Sequence, residues 1–79
     1  MRLDKYLKVS RLIKRRTVAN EACDAGRVFI NGNVAKAGTN VKVGDKITIQ
    51  FGNKETSVEV IGIEETVKKE AAAEMYKYI

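Results

Sequence analysis

The sequence contains no histidine, no proline and a single cysteine, Cys23. A lone cysteine forms no internal disulfide, and a reactive or metal-binding thiolate needs a histidine or a second thiolate beside it. Cys23 lies among alanines in TVANEACDAG, at a position a helix buries, and reads as core filler. The sequence holds no catalytic dyad, no metal-ligand cluster and no phosphate-cradling glycine loop, so no enzyme, cofactor or metal site is expected. No apolar run reaches the roughly 18 residues that span a bilayer. The N-terminal MRLDKYLK carries charges where a signal peptide needs its apolar stretch. A cytoplasmic protein without membrane contact is expected.

What the chain does have is a biased charge distribution. Its 79 residues suit one domain with a thin core, and 44% hydrophobic with 32% charged residues is the composition of a folded chain. Residues 1–16 hold seven basic side chains against the single acid Asp4, a net of +6, while residues 17–79 carry a net of −1. All of the excess positive charge therefore lies in the first fifth of the sequence. A polyanion suits such a field, because neutralising phosphates releases condensed counterions. A solvated helix face is the plainer explanation of a charge run, but a face without compensating acids fits it poorly.

Leu3, Tyr6 and Leu7 have the i, i+3, i+4 spacing of a buried helix stripe, with Asp4 in the first turn where the helix dipole favours an anion. Arg2, Lys5 and Lys8 fall off that stripe and share a solvent side. After a connection at 10–14, a second helix starts near Thr17 and runs to Ala25, with Val18, Ala19, Ala22 and Cys23 inward and Gly26 as its left-handed C-cap. Arg15 and Arg16 stand at its entry, where exposed N–H groups and arginines suit a phosphate. Asn31-Gly32 predicts a tight hairpin after the strand 27–30. Turns follow at 43–46 and at Gly52-Asn53, and they bound the alternating strand 47–51. A further strand is expected over 56–63.

From Thr66 to Ile79 the apolar positions Val67, Ala71, Met75 and Tyr78 or Ile79 predict an amphipathic helix capped by Thr66. Residues 55–79 carry a net of −3, so this side should face away from a polyanion. The fold expected is α+β, with two N-terminal helices packed on a small, mainly antiparallel sheet and a C-terminal helix, all in one domain over 1–79.

The ordered series Arg2-Leu3-Asp4 with Leu7, Ser10-Arg11, Arg15-Arg16-Thr17 with Ala19, Gly26-Arg27-Val28, Asn31-Gly32 and Val43-Gly44-Asp45 resembles the RNA-binding domain of ribosomal small-subunit protein four, over about residues 1–51. Within that superfamily the string MRLDKYLKVSRLIKRRTVA is most similar to the heat-shock-protein-fifteen group and its short ribosome-quality-control members. The resemblance implies binding to a large ribosomal subunit that still holds a peptidyl-tRNA, with contacts to ribosomal RNA and to that tRNA. It also implies support for alanine tailing of the stalled chain by a separate tRNA-recruiting protein. Arg2 and Arg16 match the family's principal RNA-contacting arginines, and Lys5, Arg11, Lys14 and Arg15 lie on the same two-helix surface. The longer heat-shock relatives carry a basic C-terminal tail that this sequence lacks, so functions carried by that tail are not expected here.

The candidate RNA-binding set is Arg2, Lys5, Lys8, Arg11, Lys14, Arg15, Arg16, Thr17, Arg27 and Lys36. Asp4, whose carboxylate repels phosphate, is expected to orient or pair with an arginine. Lys42, Lys46 and Lys54 read as solubilising or edge-protecting lysines. Tyr6, Phe29 and Phe51 fall on core-facing periodicities, so recognition should rest on backbone and shape rather than on base stacking. A pseudouridine synthase or a tRNA synthetase also carries such a domain, but needs a far longer catalytic unit. A two-helix basic face entering a DNA major groove is the competing reading. Nothing in the sequence calls for an obligate oligomer, and a monomer is the default.

Overall fold

The computed structural model describes residues 1–64 and 68–79. Helix α1 spans Leu3–Val9 and buries Leu3, Tyr6 and Leu7 completely, as its spacing requires. Each such side chain contributes on the order of 1.5–3 kcal/mol by leaving water. Helix α2 spans Arg16–Asp24 and buries Ala19 and Cys23. Val18, expected inward, is instead 42% exposed. Each helical residue turns by about 100°, so a stripe centred on Ala19 and Cys23 rotates Val18 out of the interface.

Both helices end on a left-handed residue. At α2 this is Gly26, with φ 73°, whose N–H donates to Cys23 while that of Arg27 donates to Ala22. That pairing is the Schellman closure, in which glycine has no Cβ to strain. At α1 the equivalent residue is Arg11, with φ 64° and its N–H bonded to the Lys8 carbonyl.

The sheet has the order β2-β1-β3-β4-β5, antiparallel throughout, from strands Val28–Ile30 (β1), Asn33–Val34 (β2), Lys46–Phe51 (β3), Lys54–Val60 (β4) and Tyr76–Tyr78 (β5). Asn31 and Gly32 both take positive φ, as a two-residue hairpin of the mirror-image type demands. The Asn31 side chain also ties two turns together. It donates to Asp45 and accepts from the Lys46 N–H, while the other Asp45 oxygen accepts from Lys42 N–H. Val28, Ile47, Ile49, Val58 and Val60 turn inward to the helices. On the opposite face Lys46, Glu59 and Lys77 stand side by side across β3, β4 and β5, so their charges alternate. Phe51, expected in the core, is 44% exposed. It ends β3 at the Gly52-Asn53 turn, one step past the last inward position the helices cover.

The C-terminal segment departs from expectation. Thr66 and Val67 lie outside the described residues, α3 covers only Lys69–Ala72, and a 3-10 turn at Ala73–Met75 leads into β5. The expected helix to Ile79 is thus replaced by an edge strand, in which Tyr78 pairs with Val58 and Tyr76 with Val60. Tyr76, Lys77 and Tyr78 alternate in strand fashion, and β4 offers an open edge whose hydrogen bonds outweigh local helical preference. Tyr6, buried in α1, donates its hydroxyl to the Met75 carbonyl at 2.7 Å and so pins this segment to the helical layer.

Candidate RNA-binding face

Two short helices and one loop build the basic face. The loop 35–41 runs past the start of α1, where the Ala37 and Thr39 carbonyls accept from Asp4 and Leu3 N–H and Arg2 bridges to Asn40. The first turn of α1 is thereby satisfied from within the protein. Arg2 precedes it in extended conformation, which lets its side chain fold back over Asp4.

Asp4 is the organising residue. Its side chain is 3% exposed, yet both oxygens are occupied. Arg2 approaches as a fork, Nε to Oδ1 at 3.2 Å and Nη2 to Oδ2 at 3.4 Å. Arg16, the first residue of α2, places Nε 3.4 Å from Oδ2. Asn20, one turn later, donates its amide to the same oxygen at 3.4 Å, and Lys5 N–H donates to Oδ1 at 2.8 Å. Burial alone would push this carboxyl up, but the Asn20 amide, the Lys5 N–H and Arg16 outweigh it and hold Asp4 below its ordinary value. The two arginines remain 54% and 49% exposed, so their outer faces are open to a ligand.

The other candidates sort by position. Thr17 joins Asp4, Arg16, Asn20 and Glu21 in lining an open groove of about 400 Å3 beside the arginine pair. Lys5 and Lys8 are on α1, one turn apart. Arg11 and Lys14 are exposed in the connection between the helices, and Arg15 is exposed at the start of α2, which has no side-chain cap. Lys36 is exposed in the loop that closes α1. Arg27 is not brought to the pair. It follows the far end of α2, a helix about 13 Å long by its rise per residue.

Asn20 joins the site from outside the expected set. Its sequence signal is the i, i+4 spacing from Arg16, which puts both side chains on one face of α2, over α1. Tyr6 is fully buried and bonded, while Phe29 is half-buried. Burial, with the Asp4 and Asp24 carboxylates, pushes the Cys23 thiol up to about 11, so it stays protonated and inert at neutral pH. Among the described residues no group of acids, cysteine or histidine is arranged to hold a metal ion, and no helix is long and apolar enough to cross a membrane.

The S4 domain model matches residues 1–47, which include α1, α2, β1 and β2. The chain is 61% identical to the RQC P-site tRNA stabilizing factor of Halalkalibacterium halodurans, covering 98% of this chain and 88% of that protein. It is 60% identical to the factor of the same name from Bacillus subtilis, covering 96% and 88%. The solved structure of Vibrio cholerae heat shock protein 15, described as trimeric, superposes with a TM-score of 0.92 at 30% identity, over all of this chain and 81% of the other. The match of the domain model to more than half of the sequence, and of both relatives to nearly all of it, shows that the chain belongs to the S4 domain family.

Proposed function

We propose that residues 1–79 act as one non-catalytic RNA-binding unit that holds a peptidyl-tRNA on the large ribosomal subunit during ribosome quality control. The observation that carries this reading is the arginine pair. Arg2 and Arg16 stand at the starts of two separate helices, meet over one buried carboxylate, and keep about half of each side chain exposed on the most basic part of the chain. The names of the whole-length relatives, P-site tRNA stabilizing factors, supply the RNA class such a face would meet.

In this mechanism the guanidinium groups donate to phosphate oxygens in forked geometry, for which arginine is better suited than lysine. Arg11, Lys14 and Arg15 extend the contact along the helix connection, and the uncapped first turn of α2, with Thr17, adds N–H donors. Lys5, Lys8 and Lys36 flank the pair on the α1 side, and Arg27 contributes at the margin. Two RNA elements, ribosomal RNA and the peptidyl-tRNA, are engaged at once, so bridging replaces chemistry. Backbone and shape are read rather than base identity. A tRNA-recruiting partner would supply the alanine tail that the family resemblance implies. The protein works in the cytoplasm as a monomer, without a cofactor.

The test is binding of wild type, Arg2→Ala and Arg16→Ala to large subunits with and without peptidyl-tRNA, across a salt series. Preference for the tRNA-bearing particle, lost in both variants, is expected. Equal binding to all RNAs and to duplex DNA, with neither arginine mattering, would leave a general polyanion-binding module instead.

A further inference from the structure

We infer that Asp4 is a positioning residue for RNA binding: the buried carboxylate fixes Arg2 and Arg16 as a preformed clamp, and losing its negative charge weakens RNA binding rather than strengthening it. This rests on the RNA-binding reading above. A carboxylate on a phosphate-binding face is at first sight a defect, because it cancels one of the positive charges around it. Its placement argues otherwise. Although it lies at the wall of the groove, the side chain is only 3% exposed, and its oxygens are filled by Arg2, Arg16, Asn20 and the Lys5 N–H, so little of its charge is presented to a phosphate.

Three consequences follow from that geometry. Arginine side chains carry large rotamer entropy, and immobilising one on binding costs a several-fold factor in affinity. Asp4 meets that cost for two arginines during folding. Two guanidinium groups side by side also repel, and the shared carboxylate lets them stay adjacent. Finally, Asp4 takes Nε from both arginines, together with one terminal nitrogen of Arg2, and so turns the remaining donors outward. Asn20 holds Asp4 from the α2 side and is part of the same device.

The experiment measures binding to large subunits carrying peptidyl-tRNA, well below the unfolding temperature, for wild type, Asp4→Asn, Asn20→Ala, Arg2→Ala, Arg16→Ala, and Asp4→Asn in the Arg2→Ala/Arg16→Ala background. Asp4→Asn should bind roughly three- to tenfold more weakly, with a salt dependence no steeper than wild type. In the double-arginine background it should cause no further loss, which a merely structural defect would. The Nε–H resonances of Arg2 and Arg16 should be distinct and slow to exchange in the wild type, because both groups face the Asp4 carboxylate, and should collapse towards the solvent-exposed signals in Asp4→Asn. If both arginine variants lose binding while Asp4→Asn binds as well as wild type or better, the positioning role is overturned and the RNA-binding reading stands. If the arginine variants bind like wild type, the RNA-binding reading itself falls. Should Asp4→Asn fail to fold, Asn20→Ala carries the test. A weaker complex with preserved stability supports the clamp, and unchanged binding overturns it.

Discussion

The helical face and the outer face of the sheet use the same charged residue types to opposite ends. Across β3, β4 and β5, Lys46, Glu59 and Lys77 alternate in sign, so each lysine lies beside the Glu59 carboxylate and the row as a whole keeps only one net positive charge. On α1 and the approach to α2, seven basic side chains accumulate and the one acid among them is buried beneath two arginines. Net charge is therefore a poor guide to a binding surface. What matters is whether the fold sets each charge against an opposite neighbour or leaves it facing outward, with its counter-charge drawn inside.

The largest effect expected is on RNA affinity. Arg16→Ala should weaken binding to tRNA-bearing large subunits by about 1–3 kcal/mol, measured well below the unfolding temperature because the buried Asp4 also loses one of its partners, whereas Lys77→Ala should leave affinity unchanged. An equal loss in both would mean that the two faces do not differ as described. Tyr6→Phe probes the joint between them. The Met75 carbonyl also accepts from Ile61 and Gly62 N–H, so removing the hydroxyl leaves no orphaned acceptor. The cost should be about 1 kcal/mol in urea denaturation, with RNA affinity retained.

Arg11→Gly compares the two helix ends. A left-handed non-glycine residue costs on the order of 1–3 kcal/mol, offset by roughly 0.5–1 kcal/mol of extra chain entropy for glycine. The variant should be about 1 kcal/mol more stable, yet its RNA affinity should fall and its salt slope become shallower. A more stable variant with full affinity would show that Arg11 has no part in the RNA-binding face.

The smallest effect needs acid. The Asp4 carboxyl titrates below its ordinary value in the folded state, so its stabilisation is complete above the unfolded carboxylate pKa. It is lost as pH falls through the lower folded value. Acid unfolding followed by circular dichroism should lose that limb in Asp4→Asn, with no difference in pH dependence near neutrality.

The elements legible in the sequence are those whose signal is local. Leu3, Tyr6 and Leu7 mark one helix face, Gly26 ends α2, and Asn31-Gly32 allows few conformations besides a tight hairpin. The clustering of arginines at 2, 11, 15 and 16 was equally plain. The C-terminal strand was not, because Ala71, Met75 and Ile79 also repeat at helical spacing and the decisive partner, β4, lies many residues earlier. Val18 and Phe51 were misplaced for a related reason: periodicity names a face, but the width of the covering layer decides how much of that face is buried. Asn20 is not legible as a site residue because its importance depends on Asp4, and nothing local connects residues on different helices.

The closure of α1 by the loop 35–41 has a consequence for the order in which the protein matures. A seven-residue helix is too short to persist alone, and its first turn finds its acceptors at Ala37 and Thr39. A nascent chain that has exposed residues 1–25 carries Arg2, Asp4, Arg16 and Asn20, yet lacks the backbone that holds them in register. The clamp therefore assembles only after the first half of the protein has been synthesised, and a peptide of residues 1–25 should bind RNA as a flexible polycation rather than as a shaped surface.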